Sequence, residues 1–179
     1  MQHHNSPAVS GKPGLWRYMQ TYWRRAFGLN VSPIDPLLFV GGQFRDIQWP
    51  ALYALGIRVV LSLQAEYEDR FTGPDPIRTL RLHVPDFHAP SLEQLTEGVQ
   101  FIAAAHAEEL PVLVHCHAGV GRAPATAIAY LMAHRGMSLD SAIALIRAAR
   151  PIINVNGEQR LRLQEWEQHL RARRSDPPT

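Results

Sequence analysis

The stretch VLVHCHAGVGRAPATAIAYLM, residues 112–132, decides the fold. It opens as a short apolar strand and closes as a helix of small and apolar residues. Between the two lies HAGVG, and Cys116, the only cysteine of the chain, stands where strand gives way to loop. A strand that passes through a glycine-rich turn into a helix gathers successive backbone N–H groups around one point, and the positive end of the helix dipole adds to their field. Such a place holds an anion. The same field favours thiolate over thiol, so Cys116 is a candidate nucleophile. Gly119 and Gly121 allow a tight path and close approach, and Arg122 can grip two oxygens of a phosphate at once. His117, Ala118, Gly119, Val120, Gly121 and Arg122 are therefore the expected phosphate-binding residues. The chemistry this arrangement suits is phosphoryl transfer to sulfur, followed by hydrolysis.

A leaving alkoxide needs a proton. Asp86, in HVPDFHAP, directly follows the alternating run IRTLRLHV (77–84), which reads as a strand. Alone it would pass for a turn residue ahead of Pro90. Beside the cysteine loop it becomes the candidate general acid, turning base for the attacking water. His115 is expected to be a core residue whose imidazole bonds the cysteine loop. His117 is expected at the pocket rim, in solvent or against substrate. No His, Cys or carboxylate spacing reads as a metal site, and the chemistry calls for no cofactor.

The flanks supply the frame. PLLFVGG (36–42) and IRVVLSL (57–63) read as buried strands, and DIQWPALYALG (46–56) as a short helix ending at Gly56. Ser91 with Gln94 forms a capping box before a helix whose Leu92, Leu95, Val99 and Ile102 share one face. Gly136 closes the helix after the cysteine loop. Leu139, Ala142, Ile143 and Ile146 form the core stripe of the next helix, and Leu163, Trp166 and Leu170 that of the last. Strands alternating with helices, then a helical C-terminal half, predict an α/β fold with a central mixed sheet flanked by helices.

At 179 residues, 46% of them hydrophobic and 19% charged, the chain has the composition of one folded domain with short extensions. A lone cysteine makes no internal disulfide. No apolar run approaches the length of a membrane span and no signal-peptide pattern opens the chain, so a cytoplasmic protein is expected. A net charge of +2 does not point to nucleic acid. Residues 1–14 read as a flexible leader and 173–179 as a disordered tail around a catalytic domain at 31–172. Between leader and domain, 15–30 reads as an amphipathic helix. Within it, Trp16, Met19, Trp23 and Phe27 face one way and Arg17, Arg24 and Arg25 the other. That apolar face either docks on the domain's own core or lies in a membrane interface, giving peripheral membrane contact through residues 15–27.

VHCHAGVGRA matches the His-Cys-x5-Arg signature of the protein tyrosine phosphatase superfamily, and the chain resembles its dual-specificity branch from about Ile34 to Leu170. VPDFHAPSLEQL is similar to the acid loop of small atypical dual-specificity phosphatases, which places Asp86 on the family's general acid. RPIINVN resembles the Arg-Pro-x-Ile-x-x-Asn segment, whose asparagine, here Asn156, would brace the loop bearing Cys116. IDPLLFVGG, AEYEDRF, LEQLTEGVQF and VHCHAGVGR also resemble, in order, segments of the mitochondrial-type phosphatidylglycerophosphate phosphatases. There a carboxylate of the Glu-Tyr-Glu loop helps hold the arginine, which implicates Glu66 and Glu68 here.

The resemblance implies a cysteine-dependent phosphomonoesterase acting on a phospholipid headgroup. The alternatives are a protein tyrosine, serine and threonine phosphatase, a phosphate-binding pseudophosphatase, or a glucan phosphatase. Two departures matter. His117 replaces the lipid phosphatase's lysine, and Ala123 replaces a hydroxyl residue that eases departure of the thiolate. The second implies slower hydrolysis of the phosphoenzyme, with the first step intact.

Overall fold

The computed structural model describes residues 28–175. The expected leader, positions 15–27 of the expected amphipathic helix and the last four residues lie outside the described residues. Gly28–Asn30, the end of that expected helix, are not helical, and the final helix continues three residues into the expected tail.

Five strands form one mixed sheet: β1 (Val31–Pro33), β2 (Leu38–Gly42), β3 (Val59–Ser62), β4 (Arg78–Arg81) and β5 (Val112–Cys116). Their order across the sheet is β1-β2-β5-β3-β4. Only β1 pairs antiparallel; the others run parallel, with β5 at the centre. β1 is a three-residue edge strand that no hydrophobic run announces. The sheet also uses less of each run than its apolar length: 36–42 pairs only from Leu38, and 77–84 only over Arg78–Arg81.

Alternation along the strands divides the core. Phe39, Val60 and Leu113 face α1 (Trp49–Ala54) and pack with Trp49, Leu52 and Ile57, whereas Leu38, Val40, Leu61, Val112 and Val114 face the opposite helical layer. A 3-10 turn, Asp46–Gln48, leads into α1. The helical layer holds α2 (Leu92–Ala107), α3 (Arg122–Arg135), α4 (Leu139–Ala149) and α5 (Gly157–Ser175). α3 is buried on every side from Arg122 to Met132, because the sheet lies on one flank and α2, α4 and α5 enclose the rest. A helix without a polar face can only be central. Its exit follows the expected pattern, with Gly136 left-handed at φ 62°.

One cap and one interhelical hydrogen bond fix the frame. Ser91 Oγ accepts from the Gln94 N–H at 3.2 Å while Gln94 Oε1 accepts from the Ser91 N–H at 2.9 Å. Trp166 is buried against α3 and donates its indole N–H to the Ala129 carbonyl at 3.1 Å. Parallel strands end together at one edge of such a sheet, and the loops there form a crevice. β5, the central strand, ends at Cys116.

Candidate active site at the end of β5

The path of residues 117–121 is set by what holds their carbonyls. The His117 carbonyl accepts from the Gln43 N–H at 3.0 Å and the Val120 carbonyl from the Asn154 N–H at 2.9 Å. Arg150 Nε donates to the Gly119 carbonyl at 2.6 Å. Arg150 Nη2 and Asn30 Nδ2 reach the Ala118 carbonyl at 3.3 and 3.5 Å. In a trans peptide the C=O and the following N–H point in opposite directions. Four carbonyls tied to the outer wall therefore turn the N–H groups of Ala118, Gly119, Val120 and Gly121 toward the inside of the loop. Gly119 has φ +66°, and a Cβ there would overlap Arg150 Nη2 and the Gly41 carbonyl. A Cβ on Gly121 would come within 2.8 Å of the Gln159 amide. The cup admits no side chain at Gly119, and at Gly121 only if the Gln159 amide moves aside.

Cys116 lies at the floor, 2% exposed, paired across the sheet with Gly42. It lines a cavity of about 400 Å³ together with the loop, Asp86 and Asn156. Arg122 is fully buried at the start of α3. Its Nη1 donates to the Val84 carbonyl at 2.7 Å and to both oxygens of Glu66 at 3.0 Å. Nε and Nη2 have no hydrogen-bond partner, although Asp86 Oδ1 lies 2.9 Å from Nη2. An unsatisfied buried guanidinium edge is costly in an ordinary core. Here the edge borders the anion cup, where two oxygens of one phosphate would satisfy both donors.

Asp86 sits on the loop after β4, its side chain 45% exposed, and accepts from the Phe87 N–H at 3.0 Å. Phe87 is left-handed at φ 65° and 80% exposed at the rim. Its carbonyl accepts from Asn156 Nδ2 at 2.6 Å. Asn156 thus holds the acid loop, not the cysteine loop as expected. Its side-chain oxygen caps α5 through the Gln159 N–H, and Gln159 Nε2 reaches the His88 carbonyl at 3.2 Å. The bracing of the cysteine loop by the RPIINVN segment runs instead through Arg150 and the Asn154 main chain. The reason is reach: α5 begins beside the acid loop, whereas Arg150 ends α4 behind Gly119.

The loop AEYEDR, after β3, supports three residues of the site. Burial pushes the Glu66 carboxyl up, but the hydrogen bonds and charge of Arg122 outweigh it and hold the group below its ordinary value. Glu68 is exposed and has no ion pair among the described residues, so the expected support for Arg122 comes from Glu66 alone. Tyr67 stacks on His117, with ring centroids 6.0 Å apart. His117 Nδ1 lies 3.0 Å from Gln43 Oε1, at the rim as expected. His115 is fully buried, but its Nε2 bonds Asp69 Oδ2 at 2.8 Å and not the cysteine loop. Its side chain points to the α1 face of the sheet, against Phe44, because β5 alternates and Cys116 takes the other face.

Arg150, Asn30, Gln43 and Asp69 all serve the site without an expectation from sequence. Arg150 carried a signal, since it opens RPIINVN; the others act across long sequence separations that no local pattern reveals. Ala123 is fully buried in the first turn of α3. Among the described residues no group of His, Cys, Asp and Glu could hold a metal, and no helix there is long and apolar enough to cross a membrane.

Residues 38–169 match the family model for the dual specificity phosphatase catalytic domain. The chain is 33% identical to dual specificity protein phosphatase Mpk3 of Drosophila melanogaster over 80% of its own length, but spans only 36% of that relative. It is 32% identical to dual specificity phosphatase 28 of Mus musculus, covering 78% of this chain and 85% of the other. Among solved structures, PTPMT1 in complex with PI(5)P superposes with a TM-score of 0.74 at 28% identity, covering 81% of this chain and 99% of that one.

Proposed function

The chain belongs to the dual specificity phosphatase catalytic-domain family, and from that premise we propose that it hydrolyses phosphomonoesters through a phosphocysteine intermediate. One observation carries the reading: the sulfur of Cys116 lies under inward-turned amides, beside a buried guanidinium whose Nε and Nη2 have no hydrogen-bond partner. That arrangement matches the three equatorial oxygens of a phosphoryl group in transfer, where charge must be met by fixed donors.

Substrate binds with its phosphate on the amides of 118–121 and on Nε and Nη2 of Arg122. Arriving there, it takes over the guanidinium edge that Asp86 faces, so the carboxyl moves toward the leaving oxygen. Sulfur attacks phosphorus in line, the S–P bond forms as the P–O bond breaks, and Asp86 protonates the departing oxygen. Water then attacks the phosphocysteine, giving its proton to Asp86 and releasing inorganic phosphate and thiolate. With Ala123 buried beyond the guanidinium, no hydroxyl at that position assists the second step, which favours its being the slower one.

For the substrate we favour a phospholipid headgroup phosphate such as phosphatidylglycerophosphate. The sequence likeness in the AEYEDRF loop, the Glu66–Arg122 pairing and the similarity to a structure bearing PI(5)P support it. The curated relatives are named as protein phosphatases, which supports phosphotyrosine protein as the second reading. Location at a membrane surface and a cytoplasmic setting belong to the first reading.

The test is hydrolysis of p-nitrophenyl phosphate without added metal, expected in the wild type and reduced about 10⁴-fold or more in Cys116→Ser. A Cys116→Ser protein of normal activity overturns the nucleophile assignment. Turnover of dispersed phosphatidylglycerophosphate against a phosphotyrosine peptide decides the substrate.

A further inference from the structure

His117 and Ala118 wall the phosphate cavity on one side, and the same two residues wall a second cavity of about 390 Å³. Asn30, Gln43, Phe44 and Arg45 complete it, and no carboxylate lines it. We propose that this second cavity is a subsite for another anionic oxygen group of the substrate, held by Arg45 and Gln43. The proposal rests on the cup as the phosphomonoester site and adds a second anchor to it.

Three features argue for it. Arg45 has no ion pair among the described residues, so a full positive charge meets an acid-free wall. Gln43 is fixed twice against the phosphate loop, its N–H on the His117 carbonyl at 3.0 Å and its Oε1 facing His117 Nδ1 at 3.0 Å. That orientation consumes the acceptor end of the amide and leaves its NH₂ to donate. Phe44 closes the inner side, packed on His115, Trp49 and Phe71, so the polar groups stand on a firm base.

The two cavities share His117 and Ala118 as a common wall. A ligand spanning them carries a phosphomonoester and a second phosphate or phosphodiester separated by a short linker of a few carbons. A glycerophospholipid with a terminal phosphate has that form, and so does a small soluble bisphosphate. The shared chemistry is two anionic phosphates on a short polyol.

The test is calorimetric binding to the full chain carrying Cys116→Ser, with and without Arg45→Ala, using propane-1,3-diyl bisphosphate and propyl phosphate. The bisphosphate is expected to bind about tenfold tighter than the monophosphate in the parent, and Arg45→Ala to erase that ratio, with Arg45→Lys restoring part of it. Equal affinities in the parent, or a ratio that survives Arg45→Ala in a protein of unchanged circular dichroism, overturn the subsite. Failure of propyl phosphate itself to bind would instead remove the cup. A ratio that behaves as expected, joined to no turnover of phosphatidylglycerophosphate by the wild type, supports the subsite for soluble bisphosphates and removes the lipid reading alone.

Discussion

Two loops meet over Cys116, and they are built to different degrees of constraint. Residues 117–121 have four carbonyls tied down by donors from three separate parts of the chain, at Asn30, at Gln43 and at Arg150 and Asn154 of one segment. One of their positions, Gly119, admits only glycine, and a side chain at Gly121 would have to displace the Gln159 amide. The acid loop, by contrast, is held by the Asn156 and Gln159 side chains on the carbonyls of Phe87 and His88 and by the contact of Glu158 with Ala89. Asp86 is half exposed, and its carboxylate faces the arginine edge that substrate is proposed to occupy. The difference follows from the work each does. Transition-state charge is met best by donors that do not reorganise, whereas a group that first gives a proton and later takes one must move relative to two different oxygens.

The comparison breaks most visibly at Gly119. Gly119→Ala combines a positive φ with overlap on Arg150 and the Gly41 carbonyl. It is expected to cost about 3 kcal/mol of stability. It should lower kcat/KM on every phosphomonoester by about 10³-fold, because the whole cup shifts. Thermal melts and steady-state rates on aryl and alkyl phosphates check this. Retained activity would mean that the loop has far more freedom than its outer bonds imply.

Asp86→Asn should instead discriminate between substrates. An alkyl leaving group needs the proton and should lose about 10²–10⁴-fold in kcat. p-Nitrophenolate leaves almost unaided and should lose about tenfold or less. Stability should hardly change, since the side chain is half exposed and its ion pair with Arg122 is not aligned as a hydrogen bond. Equal losses on the two substrates would take the acid role from Asp86.

The same contrast explains what could be read from sequence. The cup was legible because its parts are contiguous: strand, glycines and arginine follow one another, and local geometry alone aims their amides inward. The buried stripes of α2 and α4 were legible for a similar reason, period 3.6 being a local property. The outer wall was not legible. Asn30 lies 88 residues from Ala118 and 120 from Arg150 in sequence, and Asp69 lies 46 from His115. Such pairings are set by strand order, which places β2 and β3 on either side of β5. The misassignment of Asn156 has the same origin, since its segment was recognised but the neighbour it meets depends on where α5 starts. His115 shows a subtler limit. Its burial was expected, but the face it takes is fixed by the parity that gives Cys116 the cup.

The smallest effect concerns Glu66, which belongs to neither loop but orients the arginine between them. Its carboxyl is held below its ordinary value, burial opposing and Arg122 prevailing. A depressed carboxylate stabilises the fold in full above its unfolded-state value and ceases to do so as pH falls through the lower folded-state value. Glu66→Gln should therefore melt a little lower than wild type at pH 6–7, by about 2 °C after allowance for solvent screening of a partly exposed pair. The gap should narrow as pH drops below the mid-fours. The kinetic signature separates positioning from mere stability. Arg122 keeps its Val84 bond in the variant but loses the carboxylate that holds the same Nη1, so KM for aryl phosphate should rise about threefold while the Asp86-dependent alkyl-to-aryl ratio stays put. A gap in melting temperature that widens in acid would reverse the sign of the linkage and place the stabilising charge elsewhere.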